Sequence, residues 1–131
     1  MVLKDISIHD YAKNLVDSFE NLGMISVRDL FFLEPVFHPG LNVTVRNGDK
    51  WMQTNIGDGL LIKKTGEDTV IHTADLIAKA YVPFRLIPEA WLAYEHDPAC
   101  RTLEGLFEYG MKPAYPDFTE DNYVTVLLFW I

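Results

Sequence analysis

The sequence predicts an α+β fold, a small mixed β-barrel flanked by short helices, and three observations support this prediction. Central segments alternate apolar and polar residues, which is the period of a strand with one buried face. An apolar run at 122–131 is typical of a buried strand, and two short helical segments precede it. Because an open hydrophobic edge of this length would favour aggregation, we expect the last strand to close the curved sheet.

The chain begins with a segment that predicts a helix. Residues 7–10 have the form of a capping box, and apolar residues then recur at helical spacing until Gly23. Residues 26–33 fit either a second short helix or a buried strand, and we favour a strand around Phe31.

The segment at 41–47 predicts the strand that carries most of the functional information. Three apolar residues alternate with three polar ones, in the order Leu41, Asn42, Val43, Thr44, Val45 and Arg46. This period predicts one buried face and one accessible polar face. The accessible face would present a hydroxyl beside a guanidinium group.

The next segments predict a hairpin or meander and then two short helices. Turn signals at Asn47-Gly48 and at 56–59 precede apolar runs at 60–64 and 69–82. The first helix starts at Pro88 and runs through Glu95. In the second helix, Thr102 is the N-cap, and we expect the helix to end at Gly110.

Length and composition indicate a single domain at 1–131, with 1–28 as an N-terminal helical extension. No apolar run is long enough to span a bilayer, and charged residues follow Met1 at once, so we expect a cytoplasmic protein without membrane partners. Cys100 is the lone cysteine, and no Cys/His spacing of zinc type is present. We therefore expect no metal and no cofactor.

The charge distribution argues against a broad nucleic-acid-binding surface. The chain has a formal net charge of −8 at pH 7, which disfavours binding that relies on coating phosphates with Lys and Arg. Residues 40–85, however, hold six of the 11 basic side chains and five of the 19 acidic ones. This near-neutral centre between acidic ends fits a local polar pocket, although an acidic exterior that only aids solubility is the simpler interpretation.

A series of short motifs resembles the ASCH domain of the PUA-like superfamily, over roughly residues 30 to 131. The motifs are Thr44-Val45-Arg46, Gly57-Asp58, Glu95 after a short helix, Thr102-Leu103-Glu104-Gly105-Leu106, Tyr115-Pro116 and the strand at 124–129. The resemblance implies a PUA-like barrel and an association with RNA or with modified nucleosides.

No feature of the sequence indicates the oligomeric state.

One branch of that family, similar to small bacterial amidohydrolases, removes the acetyl group from acetylated cytidine. The resemblance implies Thr44 as its nucleophile and Glu95 as its acid/base residue. The branch has a lysine three residues before the threonine, where this chain has Leu41. That difference favours binding over catalysis here, unless Lys50 reaches the same site from beyond the turn.

The candidate ligand-binding residues surround the same strand, and each has a plainer structural interpretation. Arg46 offers a planar fork for a phosphate or a base edge, but an ion pair with Asp58 or Glu95 would explain it equally well. Thr44 is also an ordinary strand residue. Trp51 is a candidate for base stacking, and the nearby basic side chains, which could contact phosphates, are Lys50, Lys63 and Lys64.

Three functions follow from these residues. The first is a module that binds RNA or a modified nucleoside in a cleft between the barrel and a short helix. The second is an amidohydrolase that acts on an acylated nucleoside such as acetylated cytidine. The third is a non-enzymatic interaction protein whose acidic surface binds a basic partner.

Overall fold

The computed structural model describes residues 8–19 and 26–131, and its centre is a five-stranded mixed sheet. The strands are β1 (Val27–Phe32), β2 (Leu41–Asn47), β3 (Gly59–Lys64), β4 (Val70–Pro83) and β5 (Tyr123–Trp130). The helices are α1 (Ile8–Phe19), α2 (Glu89–Leu92) and α3, which runs through Leu103–Gly105, a π-helical Leu106–Met111 and Lys112–Ala114. Short 3-10 turns lie at Lys50–Gln53, Phe84–Leu86 and Pro98–Cys100.

The strand order is β1-β3-β4-β5-β2, with β1 parallel to β3 and all other pairs antiparallel. The predicted hairpin is confirmed as β3 and β4. The last strand, β5, is hydrogen-bonded to β4 on one side and to β2 on the other. This double pairing explains why its sequence is almost entirely apolar.

The α+β class is confirmed, but closure of the sheet into a barrel is not. β1 and β2 are the two edges, and no strand pairing joins them within the described residues. Their side chains still meet, because the Arg46 guanidinium carbon of β2 lies 4.6 Å from the centroid of the Phe32 ring of β1. The sheet is therefore curved enough for its two edges to share one interior.

Each face of the sheet packs on its own hydrophobic core. The outer core lies under the helices and includes Ala12, Leu41, Val43, Phe84, Leu92, Leu106, Val126 and Leu128. The inner core fills the concave face and consists of Leu30, Phe32, Leu60, Ile62, Ala74, Leu76, Leu127 and Phe129. The alternation along β5 divides its residues between these two cores.

The sequence predicted an accessible polar face for β2. This prediction is wrong, because the polar face points into the interior. Asn42 is 0% exposed and Thr44 is 4% exposed. Their partners across the sheet are Phe129 and Leu127, two residues of the inner core. The Asn42 amide offsets part of its burial by donating hydrogen bonds to the carbonyl oxygens of His38 (2.8 Å) and Gly40 (3.2 Å).

The helix boundaries differ from prediction at two points. α2 ends at Leu92 instead of running through Glu95, and α3 continues past Gly110. A Cβ at Gly110 would lie 3.0 Å from Leu106 Cδ1 and 3.3 Å from Cys100 Sγ, so this glycine permits close packing and does not end the helix. Residues 26–33 form a strand as favoured, whereas Ser7 and Gly23 lie outside the described residues.

Asp58 fixes the chain between the turn before β3 and the start of β1. Its carboxylate accepts hydrogen bonds from the Ser26 hydroxyl (2.7 Å) and the Asn55 N–H (2.8 Å), and Arg28 Nε lies 3.6 Å away. Burial alone would raise the pKa of Asp58, but these hydrogen bonds and the Arg28 charge outweigh it and lower that pKa. The ionised form is therefore favoured in the folded protein.

Replacing Asp58 with asparagine should lower the free energy of unfolding by about 2 kcal/mol at pH 7, because charge-assisted hydrogen bonds are lost. A pKa lowered by folding adds stability above the unfolded pKa of about 4, and this stability is lost as the pH falls through the folded pKa. Urea unfolding between pH 7 and pH 2 should show a weaker acid dependence for Asp58→Asn. Asp121→Asn is the control, since Asp121 is exposed and paired with exposed Arg85; equal losses for both variants would contradict the prediction.

Candidate functional site

Buried and half-buried polar side chains meet where the inner face of β2 approaches the segment that follows α2. We call Thr44, Arg46, Glu95 and His96 the polar cluster. The Val43 N–H donates to the Tyr94 carbonyl oxygen at 3.0 Å, and Val43 and Glu95 form a parallel β-bridge. The backbone itself therefore holds Glu95 beside the strand that carries Thr44 and Arg46.

Arg46 is a largely desolvated cation. Its Nε donates to the Thr44 hydroxyl at 3.3 Å, and its guanidinium lies over the Phe32 ring. Burial lowers the pKa of Arg46 to about 10, although the Glu95 carboxylate and Tyr115 partly oppose this shift. No carboxylate of the described residues forms an ion pair with Arg46.

The two ion pairs considered for Arg46 from the sequence are therefore absent from the described part of the chain. Asp58 is held by Ser26 and Arg28 instead. Glu95 is near enough to raise the pKa of Arg46 but does not pair with it. Arg46 stays protonated at neutral pH, with hydrogen-bond donors left to offer a ligand.

Glu95 is a buried carboxylate, only 3% exposed, with one oxygen unsatisfied. Oε1 lies 2.6 Å from His96 Nδ1, at an angle unfavourable for a hydrogen bond, and accepts from the Asp97 N–H at 3.3 Å. Oε2 has no hydrogen-bond partner in the described structure. Because a buried carboxylate oxygen without a donor is costly, Oε2 is suited to accept a hydrogen bond from a ligand.

His96 belongs to no motif of the sequence, yet it links the polar cluster to a cavity. Its ring centroid lies 4.9 Å from that of Phe32 and 5.2 Å from that of Phe37, so the imidazole is fixed between aromatic rings. The signal available in the sequence was its position directly after Glu95. A histidine whose side chain is 14% exposed, beside a carboxylate, offers a ligand both a donor and an acceptor.

The cavity next to His96 has a volume of about 330 Å³, within the usual range of small-molecule sites. Its lining residues are Glu34, Val36, Phe37, His38, His96, Asp97, Pro98 and Arg101. Thr44, Arg46 and Glu95 lie behind this lining and do not belong to it. Since Glu34 and Asp97 outweigh Arg101, this cavity suits an uncharged ring better than a phosphate.

The other predicted ligand residues lie away from the polar cluster. Lys50 and Trp51 belong to the 3-10 turn after β2 and line a second cavity of about 390 Å³. Lys63 Nζ lies 3.1 Å from an Asp29 carboxylate oxygen, and Lys64 is exposed at the end of β3. The structure therefore brings Thr44, Arg46 and Glu95 together and places the basic side chains elsewhere.

Within 8–19 and 26–131, no group of three or more His, Cys, Asp or Glu side chains is placed to hold a metal ion. None of the helices in these two ranges has the length and hydropathy needed to cross a bilayer. The fold and site thus define a small α+β protein with a buried polar cluster at the edge of a curved sheet.

Comparison with solved structures identifies this fold. A crystal structure of an ASCH domain from Lactobacillus crispatus JV V101 is similar, with a TM-score of 0.54 over 91% of this chain and 92% of that chain. The two sequences are 8% identical. No family model and no curated protein matches the sequence. The chain has the fold of an ASCH domain, as its motifs predicted.

Proposed function

We propose that this protein binds RNA or a modified nucleoside through the polar cluster and the adjoining cavity. The observation that carries the proposal is that half-buried Arg46 and buried Glu95 lie near each other with hydrogen-bonding capacity left over. Arg46 has no carboxylate partner among the described residues, and Glu95 Oε2 has no donor. A buried carboxylate oxygen without a donor is costly, and charged groups whose pKa is shifted by burial are typical of functional sites.

The chemistry of the two groups is complementary to the edge of a nucleobase. A carboxylate accepts hydrogen bonds from an exocyclic amine, and a guanidinium donates to a ring carbonyl or a phosphate. The Thr44 hydroxyl and the Phe32 ring hold the Arg46 fork in one orientation. A base that carries an amine beside a carbonyl, as cytosine and guanine derivatives do, would satisfy both groups together.

No specific observation favours the two alternative functions. An amidohydrolase would need a base beside Thr44, whose hydroxyl here accepts a hydrogen bond from Arg46, while Lys50 lines the other cavity. A purely acidic interaction surface would not need half-buried Arg46. Both alternatives remain as outcomes of the experiment below.

We expect Arg46→Ala and Glu95→Gln each to weaken nucleoside or RNA binding at least about tenfold, because each removes a charge-assisted hydrogen bond. Isothermal titration calorimetry with a panel of nucleosides, acetylated cytidine and single-stranded RNA would measure this effect. Arg46→Lys should bind almost as weakly as Arg46→Ala, since lysine keeps the charge but loses the planar fork. Exposed Arg85 provides the matched control, Arg85→Ala.

Folding of every variant is checked by thermal unfolding before its binding is interpreted. If folded Arg46→Ala and Glu95→Gln bind every ligand as tightly as the unchanged protein, the proposal is rejected. Deacetylation of acetylated cytidine at high enzyme concentration would favour the amidohydrolase instead. A protein partner that is lost on neutralising exposed acidic residues, but not on cluster mutation, would favour the interaction protein.

A further inference from the structure

The second cavity differs from the first in charge and in aromatic content. It lies between β1 and the 3-10 turn at Lys50–Gln53. Its lining residues are Val27, Arg28, Asp29, Phe31, Lys50, Trp51, Gln53 and Thr54. Neither the polar cluster nor the ASCH motifs explain why two cations and two aromatic rings surround one cavity.

Two cations line this cavity on an otherwise acidic chain, and one of them, Arg28, already lies beside a carboxylate. Arg28 is held in place, with Nη2 donating to the Gln53 carbonyl oxygen at 3.5 Å and Nε 3.6 Å from Asp58. Lys50 is exposed and pairs with no carboxylate of the described residues. The one acid of the lining, Asp29, is already paired with Lys63 at 3.1 Å. An anionic ligand would therefore meet the charge of Lys50, while Arg28 shares its charge with Asp58.

The two aromatic rings are presented differently from core residues. Trp51 is half-buried and packs on one side against the inner core, which fixes the indole and leaves part of it accessible. Phe31 is 38% exposed, and the Lys63 ammonium lies 5.9 Å from its ring centroid. A fixed aromatic surface beside cations is the combination that binds single-stranded nucleic acid, through base stacking and phosphate contacts.

The second cavity lies close to the polar cluster along the chain. Lys50 follows Arg46 by four residues, so their Cα atoms are at most about 14 Å apart. Trp51 packs against the core that contains Phe32, and the Phe32 ring lies under the Arg46 guanidinium. The second cavity and the polar cluster therefore adjoin the same inner core.

From this geometry we infer that the second cavity is a second nucleotide site, which takes a phosphate-bearing neighbour of the base bound at the polar cluster. The inference rests on the proposed function and narrows it, because it makes the ligand single-stranded RNA instead of a free nucleoside. The polar cluster forms hydrogen bonds with the edge of one base, while Trp51 stacks on another base. Lys50 and Arg28 contact the phosphate that belongs to the second nucleotide.

The test compares a free nucleoside with short single-stranded RNA that contains it. Lys50→Ala should leave nucleoside affinity unchanged and weaken RNA binding, and it should reduce the slope of log K against log salt concentration by about 0.7, the value for one lost phosphate contact. Trp51→Leu should weaken RNA binding at least about fivefold through lost stacking. The matched control is Lys13→Ala, since Lys13 is an exposed lysine on α1.

Fluorescence gives a second readout that does not depend on affinity. RNA that stacks on Trp51 should quench tryptophan emission, and Trp51→Phe, which conserves an aromatic ring and the fold, should remove most of that quenching. If Lys50→Ala and Trp51→Leu bind RNA with unchanged affinity and salt slope, the inference is overturned. A different result is that Arg46→Ala binds both the nucleoside and the RNA normally, while Lys50→Ala no longer binds RNA. That result would reject the proposed function and still support the second cavity as an RNA site.

Discussion

Replacing Gly105 with alanine should lower the free energy of unfolding by about 3 kcal/mol. A Cβ at this position would overlap the backbone carbonyl oxygen of Ala99 and lie 3.1 Å from Thr102 Oγ1. The first turn of α3 touches the Pro98–Cys100 turn backbone to backbone, so no side-chain rotation can relieve the overlap. This cost exceeds the roughly 1 kcal/mol by which alanine is the better helix former.

The same substitution should also weaken ligand binding at the polar cluster. Arg101, directly after the Pro98–Cys100 turn, donates from Nε to the Glu95 carbonyl oxygen at 2.9 Å. Displacing this turn from α3 would move the segment that positions Glu95. Calorimetric titration of the folded fraction with the nucleoside that binds best would measure the loss.

Gly110→Ala is the matched control for Gly105→Ala, because both glycines lie in α3. The added Cβ would meet the ends of the Leu106 and Cys100 side chains, which can move by a few tenths of an ångström. We expect its stability to stay within about 1 kcal/mol of the unchanged protein. Urea unfolding monitored by circular dichroism would compare the two variants, and equal stabilities would contradict the assigned backbone contact.

Replacing Phe32 with alanine should lower the free energy of unfolding by about 4 kcal/mol, the usual cost of removing a buried phenylalanine. The ring is 4% exposed and packs at 4.8 Å from Phe37 and 6.1 Å from Phe129, measured between ring centroids. It also lies under the Arg46 guanidinium, where a cation–π contact helps to hold a desolvated charge. The variant should therefore bind ligand more weakly as well.

Two other variants separate the loss of stability from the loss of ligand binding. Phe32→Leu fills most of the volume but removes the π-system, so it should lose less stability and still weaken binding at Arg46. Phe31→Ala removes a ring that is 38% exposed and belongs to neither core cluster, and should cost clearly less stability than Phe32→Ala. Chemical denaturation would measure the stability of all three variants. Equal losses of stability for Phe31→Ala and Phe32→Ala would contradict the assignment of Phe32 to the interior.

Local sequence patterns predicted the elements of the fold better than their arrangement. The period of residues 41–47 and the apolar run at 122–131 correctly predicted β2 and β5. Periodicity defines two faces of a strand without saying which face meets solvent. Pairing with Leu127 and Phe129 decides this for β2, and that contact joins residues far apart in the sequence.

The candidate site was predicted only in part, because it too depends on contacts between residues far apart in the sequence. The ASCH resemblance named Thr44, Arg46 and Glu95 together, and the bridge between Val43 and Glu95 holds them near each other, while their role in a site stays a prediction. His96 carried no motif, and its role depends on Phe32 and Phe37, which come from elsewhere in the chain. Lys50 and Trp51 follow β2 closely, but the 3-10 turn directs them toward a different cavity, which no local pattern indicated.

The strand order also determines when the polar cluster can form during folding. β2 has β5 as its strand partner, so the strand that carries Arg46 cannot join the sheet until residues 123–130 have been synthesised. Pairings between such distant segments form late and slowly, because the intervening loop must first be closed. Until then, β2 and β4 each expose an edge that could pair with another chain. Ligand binding during refolding would therefore show when β5 has paired with β2 and β4 and the sheet is complete.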